Sequence, residues 1–240
     1  MPSNNAVTAL YLDPDTGNLA GAKAQPNENK ILIECGTIAE STIKEVGNAA
    51  SQSQNLQFVD APISGGPLGS KSATLTFMVG SSDALFQSLL PLLSHMGTPS
   101  SIFHCGALGA GTAFKQINNY ISLISIVAVS EGYNIASRMG LDLEKLTEVL
   151  RTGSAQNWVI SKNHPVPGIT PGNAASKGYE GGFRLELAIK DLGLGIGLGE
   201  GVGAETELAS KALDVFKKAS GDERYAGKDS RVLYKYLLER

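Results

Sequence analysis

Apolar residues follow two different patterns along this chain, and the change falls near Gly109. Before it, short hydrophobic runs bounded by turn residues alternate with stretches of helical period. KILIECGT at residues 30–37 sets Ile31, Leu32 and Ile33 between a charged start and a glycine stop, the pattern of a buried strand. LQFVDAPIS at 56–64, TLTFMVGS at 74–81 and SIFHCG at 101–106 predict further strands. Between them, residues 39–52 predict a helix with Thr42, Ile43, Val46 and Ala49 on its apolar side. Ser82 or Asp83 can cap a second helix, which carries Leu85, Phe86, Leu89, Leu90, Leu92 and Leu93. The opening run Ala6 to Leu12 fits a helix or a strand and stops at the DPDTG turn. Strands alternating with helices at this spacing predict an α/β domain around a mainly parallel sheet.

After Gly109 the period becomes helical for some thirty residues, through Ala113, Ile117, Tyr120, Leu123, Ile126, Val129, Tyr133 and Ala136. A helix hydrophobic nearly all round is the spine of a helical domain or of a subunit interface. LDLEKLTEVLRTG, FRLELAIKDL, ETELASKALDVFKKA and SRVLYKYLLER predict more helices, and residues 165–182 form a Pro/Gly/Ser-rich loop. The predicted domains are therefore 1–108 and an all-helical 109–240, divided at the GALGAG turn. Alternating glycines from Gly193 to Gly203 match no frame of GxGxxG and follow a helix instead of a strand. They predict a weak or closely packed helix, because interior glycine costs about 0.5–1 kcal/mol relative to alanine.

Composition narrows the classes. With 240 residues, 42% hydrophobic and 18% charged, the chain can bury a normal core. A net charge of −3 gives no electrostatic support for gripping nucleic acid. No stretch approaches a membrane span, and the first residues lack a secretory pattern. Cys35 and Cys105 lie far apart outside any CxxC or Cys/His spacing, and the three histidines show no metal spacing, so reduced thiols and no metal are expected.

Three segments carry the candidate chemistry. GALGAGTAFKQINN at 106–119 sets Lys115 and Asn119 one helical turn apart. DAPISGG at 60–66 ends a hydrophobic run with a hydroxyl and two glycines, the ingredients of an anion nest, although SGG serves a plain turn equally well. KDLGLG from Lys190 adds a cation beside a carboxylate, a pair that is commonly a surface ion pair. In this order they resemble the β-hydroxyacid dehydrogenases, and within that family the 3-hydroxyisobutyrate dehydrogenases, from about Pro2 to the C-terminus. The family's GxGxxG fingerprint is absent from these residues. The resemblance thus implies a truncated Rossmann-type parallel sheet domain followed by the family's helical domain.

It implies NAD-dependent oxidation of 3-hydroxyisobutyrate to methylmalonate semialdehyde, a step of valine breakdown, with NADP as the other possible carrier. Lys115 is then the general acid/base, with Asn119 bonding both the lysine and the substrate oxygen. Ser64, Gly65 and Gly66 anchor the substrate carboxylate, while Thr37, Lys190, Met1 and Pro2 contact the cofactor. Lys115, Asn119 and the SGG corner are expected to share one pocket. Trp158 and NHPVPG at 163–168 resemble the loop that separates this group from its glyoxylate-reducing and 6-phosphogluconate-oxidising cousins. Departures are Gly36 for the usual serine, Glu40 for proline, and Ala73 for a glycine, the last expected to cost little. The resemblance also implies a small β-hydroxyacid substrate, a homo-oligomer formed through the helical domain, and a mitochondrial location, or otherwise a cytoplasmic one. An alternative without the fingerprint is a chain that binds no NAD alone and acts at most as an association module.

Overall fold

The computed structural model describes residues 3–25 and 27–240. It forms two compact units, Met1–Ile117 and Asn118–Arg240. In the first, α1 (Asn4–Leu12) is capped by Ser3, whose hydroxyl accepts from Ala6 N at 3.2 Å, so the ambiguous opening run is helical. Then come α2 (Asn18–Lys23), β1 (Lys30–Glu34), α3 (Glu40–Ala50), β2 (Leu56–Asp60) and β3 (Ile63–Ser64). α4 (Gly66–Lys71), β4 (Leu75–Gly80), α5 (Asp83–Leu93) and β5 (Gly97–Gly106) complete the run of strands.

Neighbouring residues of β2 divide between two cores. Phe58 packs with Val7, Ile38, Ile43 and Val46, whereas Val59 packs with Phe77, Phe86, Leu89 and Leu93. Because successive side chains of a strand point to opposite faces, the sheet is covered by helices on both sides. The α/β expectation thus holds, but the sheet is mixed. β1 runs parallel to β2, and β4 to β5, while β4 is antiparallel to both β2 and β3. A parallel return needs a crossover of about a dozen residues or more. Part of the chain between Asp60 and Leu75 is taken up by β3, which pairs with β4 directly, and β4 therefore returns antiparallel.

α6 (Ala110–Arg138) starts against this sheet. A Cβ on Gly111 would stand 2.1 Å from the Met78 carbonyl oxygen, so the helix backbone rests directly on β4. Its other end closes at Gly140, with φ +69°, where Gly140 N reaches Ser137 O and Leu141 N reaches Ala136 O. The second unit adds α7 (Leu143–Thr152), α8 (Trp158–Lys162), α9 (Leu185–Gly201), α10 (Glu207–Ser220) and α11 (Leu233–Leu238). Its core gathers Leu123, Tyr133, Ile160, Leu185, Leu192, Phe216 and Leu233. α9 runs unbroken through most of the glycine series. Close packing explains Gly199, where a Cβ would meet Thr206 Cγ2 at 2.7 Å, but Gly193, Gly197 and Gly201 face open space.

Ala73 is a correction. It sits at φ 52°, just past α4, with Ala73 N bonded to Ser70 O and Thr74 N to Gly69 O. This is the helix-ending geometry that favours glycine at the left-handed position, and an L-residue there costs about 1–2 kcal/mol. The departure is therefore not cheap in local conformation. Replacing Ala73 by glycine relieves the strain, partly offset by the greater freedom of glycine in the unfolded chain. The expected gain is about 0.5–1 kcal/mol in urea unfolding, and an unchanged or lowered midpoint would contradict it.

Candidate active site

In the first unit the site is built where β1 and β2 end together, at the paired residues Glu34 and Asp60. Asp60 is fully buried and takes two backbone N–H groups from the start of α6, Gly109 N at 2.8 Å and Thr112 N at 2.7 Å. It thereby caps the helix and faces the positive end of its dipole. Burial raises its carboxyl above the ordinary range, and the donated N–H groups oppose the shift. Gly80 is required beside it, since a Cβ there would stand 2.2 Å from Asp60 Oδ1.

The next turn of α6 carries Lys115, only 7% exposed, and Gln116, which is also buried. Gln116 Nε2 donates to the Ile38 carbonyl at 2.7 Å. That carbonyl belongs to the loop after β1, which holds Thr37. Two more side chains fasten the same loop: Glu34 Oε1 accepts from Gly36 N at 2.6 Å, and Asn4 Oδ1 accepts from Ala39 N at 2.8 Å. Gly36, standing for the family's serine, uses its backbone here, and Glu40 opens α3 and pairs with Lys44.

Ser64 ends β3, paired with Thr76 of β4. Gly65 and Gly66 follow with φ +133° and +61°, conformations that L-residues rarely adopt. The SGG corner leads straight into α4, not into a loop. Met1 and Pro2, expected at the cofactor, lie outside the described residues.

In the second unit Asn119 and Asp191 are buried together. Asn119 Nδ2 donates to Asp191 Oδ2 at 2.7 Å, and Asn119 Oδ1 accepts from Asn118 at 3.1 Å. Lys190 Nζ lies 2.9 Å from Asp191 Oδ1. With its carboxylate only 3% exposed, this is not the ordinary surface ion pair that adjacent opposite charges suggest. Trp158 opens α8 half exposed, with the Arg231 guanidinium 5.8 Å from its ring centre. His164 is wholly buried, edge-on to Tyr133 at 4.3 Å, and its Nδ1 accepts from Val166 N at 3.1 Å. Arg231 bonds both oxygens of buried Asp229 at 2.6 Å and the Asn163 carbonyl at 3.2 Å, so the NHPVPG segment is firmly packed.

A model of the NAD binding domain of 6-phosphogluconate dehydrogenase matches residues 1–108. A model of the NAD-binding segment of NADP-dependent 3-hydroxyisobutyrate dehydrogenase matches residues 109–237. The 3-hydroxyisobutyrate dehydrogenase of Pseudomonas aeruginosa is 37% identical over 98% of this chain and 76% of its own length. The chain belongs to the 3-hydroxyisobutyrate dehydrogenase family. The mitochondrial 3-hydroxyisobutyrate dehydrogenase of Drosophila melanogaster is 35% identical over 98% of this chain and 69% of its own. A solved structure of the Mycobacterium tuberculosis 3-hydroxyisobutyrate dehydrogenase with L-serine superposes at a TM-score of 0.84, with 32% identity, covering 99% of this chain and 77% of that one.

As a member of this family the chain is an oxidoreductase of the NAD(P)-linked hydroxyacid dehydrogenase class. Among the described residues no helix is long and apolar enough to cross a membrane, and no cluster of His, Cys, Asp or Glu is arranged to hold a metal. Both cysteines are unbridged, and burial pushes the Cys35 thiol up to about 11, which keeps it protonated at neutral pH. Sequence reasoning missed Asp60, Gln116 and Asn4, whose bonds hold the start of α6 and the loop of Thr37. The one signal was the acid that opens DAPISGG, since Gln116 stands among the polar residues of KQINN and is not marked out by them.

His164 gives a pH test. Burial, aided by the charge of Arg151, holds its imidazole down at about 4, against about 6.5 in the unfolded chain. As pH falls from 7 to 4 the unfolded chain gains a proton that the folded chain refuses, so stability drops with acid. The expected loss over that window is about 3 kcal/mol. Asparagine can keep an acceptor for Val166 N without titrating, so His164→Asn should flatten this slope in urea melts. Equal slopes for the two proteins would refute the assignment.

Proposed function

We propose that this chain oxidises 3-hydroxyisobutyrate to methylmalonate semialdehyde with NAD, in valine breakdown, with Lys115 taking the hydroxyl proton. In this reading residues 1–108 form the Rossmann-type part and 109–240 the helical domain. An amine in water keeps its proton at neutral pH, so a lysine that is to accept one needs dehydrated surroundings. The burial of Lys115 on a helix clamped by Asp60 is the observation that carries the reading. Ser64, Gly65 and Gly66 supply a hydroxyl and backbone N–H groups for the substrate carboxylate, and the two glycines allow close approach. Asn119, held by Asp191, orients the reacting oxygen.

The residues present fit the nicotinamide end of the cofactor. Thr37 lies in a pinned loop past the C-terminal end of parallel β1, where open α/β sheets dock ligands. Thr37 would hold it there, with NADP as the alternative carrier. When bound, NAD would supply the acceptor for the hydride of the carbinol carbon, while Lys115 takes the hydroxyl proton. A related small β-hydroxyacid is the alternative substrate, in keeping with the L-serine in the mycobacterial structure. A mitochondrial location follows the Drosophila relative.

Lys115→Ala should lower kcat by 10²–10⁴-fold while NAD titration and circular dichroism stay unchanged. A retained rate would remove Lys115 from proton transfer. Failure of the unaltered chain to bind NAD would favour the association-module reading.

We also propose that a second copy packs on α6. Ile121, Ile135 and Met139 are 60%, 60% and 67% exposed, and exposed Ala128 and Gly132 lie between them on the same face. Light scattering after gel filtration should give a dimer or larger, and Ile135→Glu should shift it toward monomer. A monomeric unaltered chain at micromolar concentration would refute this.

A further inference from the structure

We propose that Gln116 is a positioning residue. Its bond to the Ile38 carbonyl sets the Thr37 loop against the turn of α6 that bears Lys115, and so governs cofactor binding more than proton transfer. The proposal rests on the dehydrogenase reading above.

Gln116 is buried on α6, beside Lys115 and three residues before Asn119, which are buried as well. A leucine or methionine would fill that space without the cost of burying an amide, which is tolerated only when hydrogen-bonded. Its Nε2 reaches Ile38 O at 2.7 Å, across 78 residues of sequence. Of the side-chain ties on the loop, the Gly36 bond to Glu34 is local, and the Ala39 bond runs to Asn4 of α1. The Gln116 bond joins the loop to α6. Contacts reinforce the same junction: Glu40, just after the loop, lies so close to the α6 turn that a Cβ on Gly109 would stand 3.1 Å from its Oε1. Ile38 is itself fully buried in the core with Val7, Ile43 and Val46. Its side chain is thus held by packing and its carbonyl by Gln116, with Thr37 the residue before it. Because Gln116 directly follows Lys115, a shift of this bond changes the placement of the loop relative to the lysine.

Gln116→Met keeps the volume and removes the donor. It is expected to raise KM for NAD about five- to tenfold, to change kcat less than threefold, and to leave the hydroxyacid KM unchanged. Hydrogen exchange should accelerate at residues 35–39 and stay unchanged at 121–138. Gln116→Glu cannot donate when ionised and can when protonated. Its NAD KM should exceed that of the parent at pH 8 and approach it as pH falls. A purely structural role would lower thermal stability without separating KM from kcat and without rescue by acid. If the unaltered chain turns over and Gln116→Met keeps its NAD KM within twofold, the positioning role is overturned while the dehydrogenase reading stands. An unaltered chain without NAD turnover overturns both.

Discussion

The buried carboxylate of Asp60 at the head of α6 is the interaction on which the rest of the site depends. A 29-residue helix begins with N–H groups that lack partners inside the helix, and its start here lies on a sheet that offers no solvent to satisfy them. Asp60 takes two of them, and these N–H groups, with the positive end of the helix dipole, offset part of the cost of burying its carboxyl. Its place in the sheet makes this consequential. Asp60 pairs with Glu34 at the end of the parallel strands β1 and β2, so the helix bearing Lys115 starts at the sheet edge where α/β proteins receive ligands. Gly80 and Gly111 make room for the contact, one beside the carboxylate and one against the β4 backbone.

Legibility in the sequence followed segment length and the range of the interaction. The long periodic segments, α3, α5, α6, α7 and α10, were visible because an apolar stripe repeats over two or more turns. α2, α4 and α8 have only five or six residues each, too few for a stripe, and two of them are rich in glycine, alanine or proline. Site residues named from motifs are local by nature: Ser64 with its glycines, and Lys115 with Asn119. Asp60 stood in a quoted motif, but its partners lie 49 and 52 residues away, and the sequence carries no mark of that pairing. The cost at Ala73 was hidden for another reason. A left-handed backbone is a property of the turn that α4 needs, and nothing in the letters around it requires one.

The second unit repeats the logic of a buried anion with different residues. Asp191, on α9, accepts from Asn119 on Oδ2, and the Lys190 ammonium lies 2.9 Å from Oδ1, so the charge of a carboxylate that would be costly alone is countered. Adjacent opposite charges predict surface exposure only when the helix presents them outward. Here Leu192 and Ala188 on the same helix lie in the core and carry Asp191 inward with them.

These observations explain why α6 tolerates buried polar side chains in so short a stretch. Lys115, Gln116 and Asn119 fall within five residues of a helix that also buries apolar Leu123, Ile126 and Tyr133, and each would destabilise the fold if left without a partner. Gln116 bonds Ile38 and Asn119 bonds Asp191, while Thr112 N is held by Asp60. The turn that carries Lys115 is thus fixed at a residue before the lysine and at the one beside it. For the proton transfer proposed for Lys115 such placement matters, since an ångström of misplacement can cost about a hundredfold in rate. The polar cluster is therefore better understood as the means of immobilising one side chain than as separate contributions to stability.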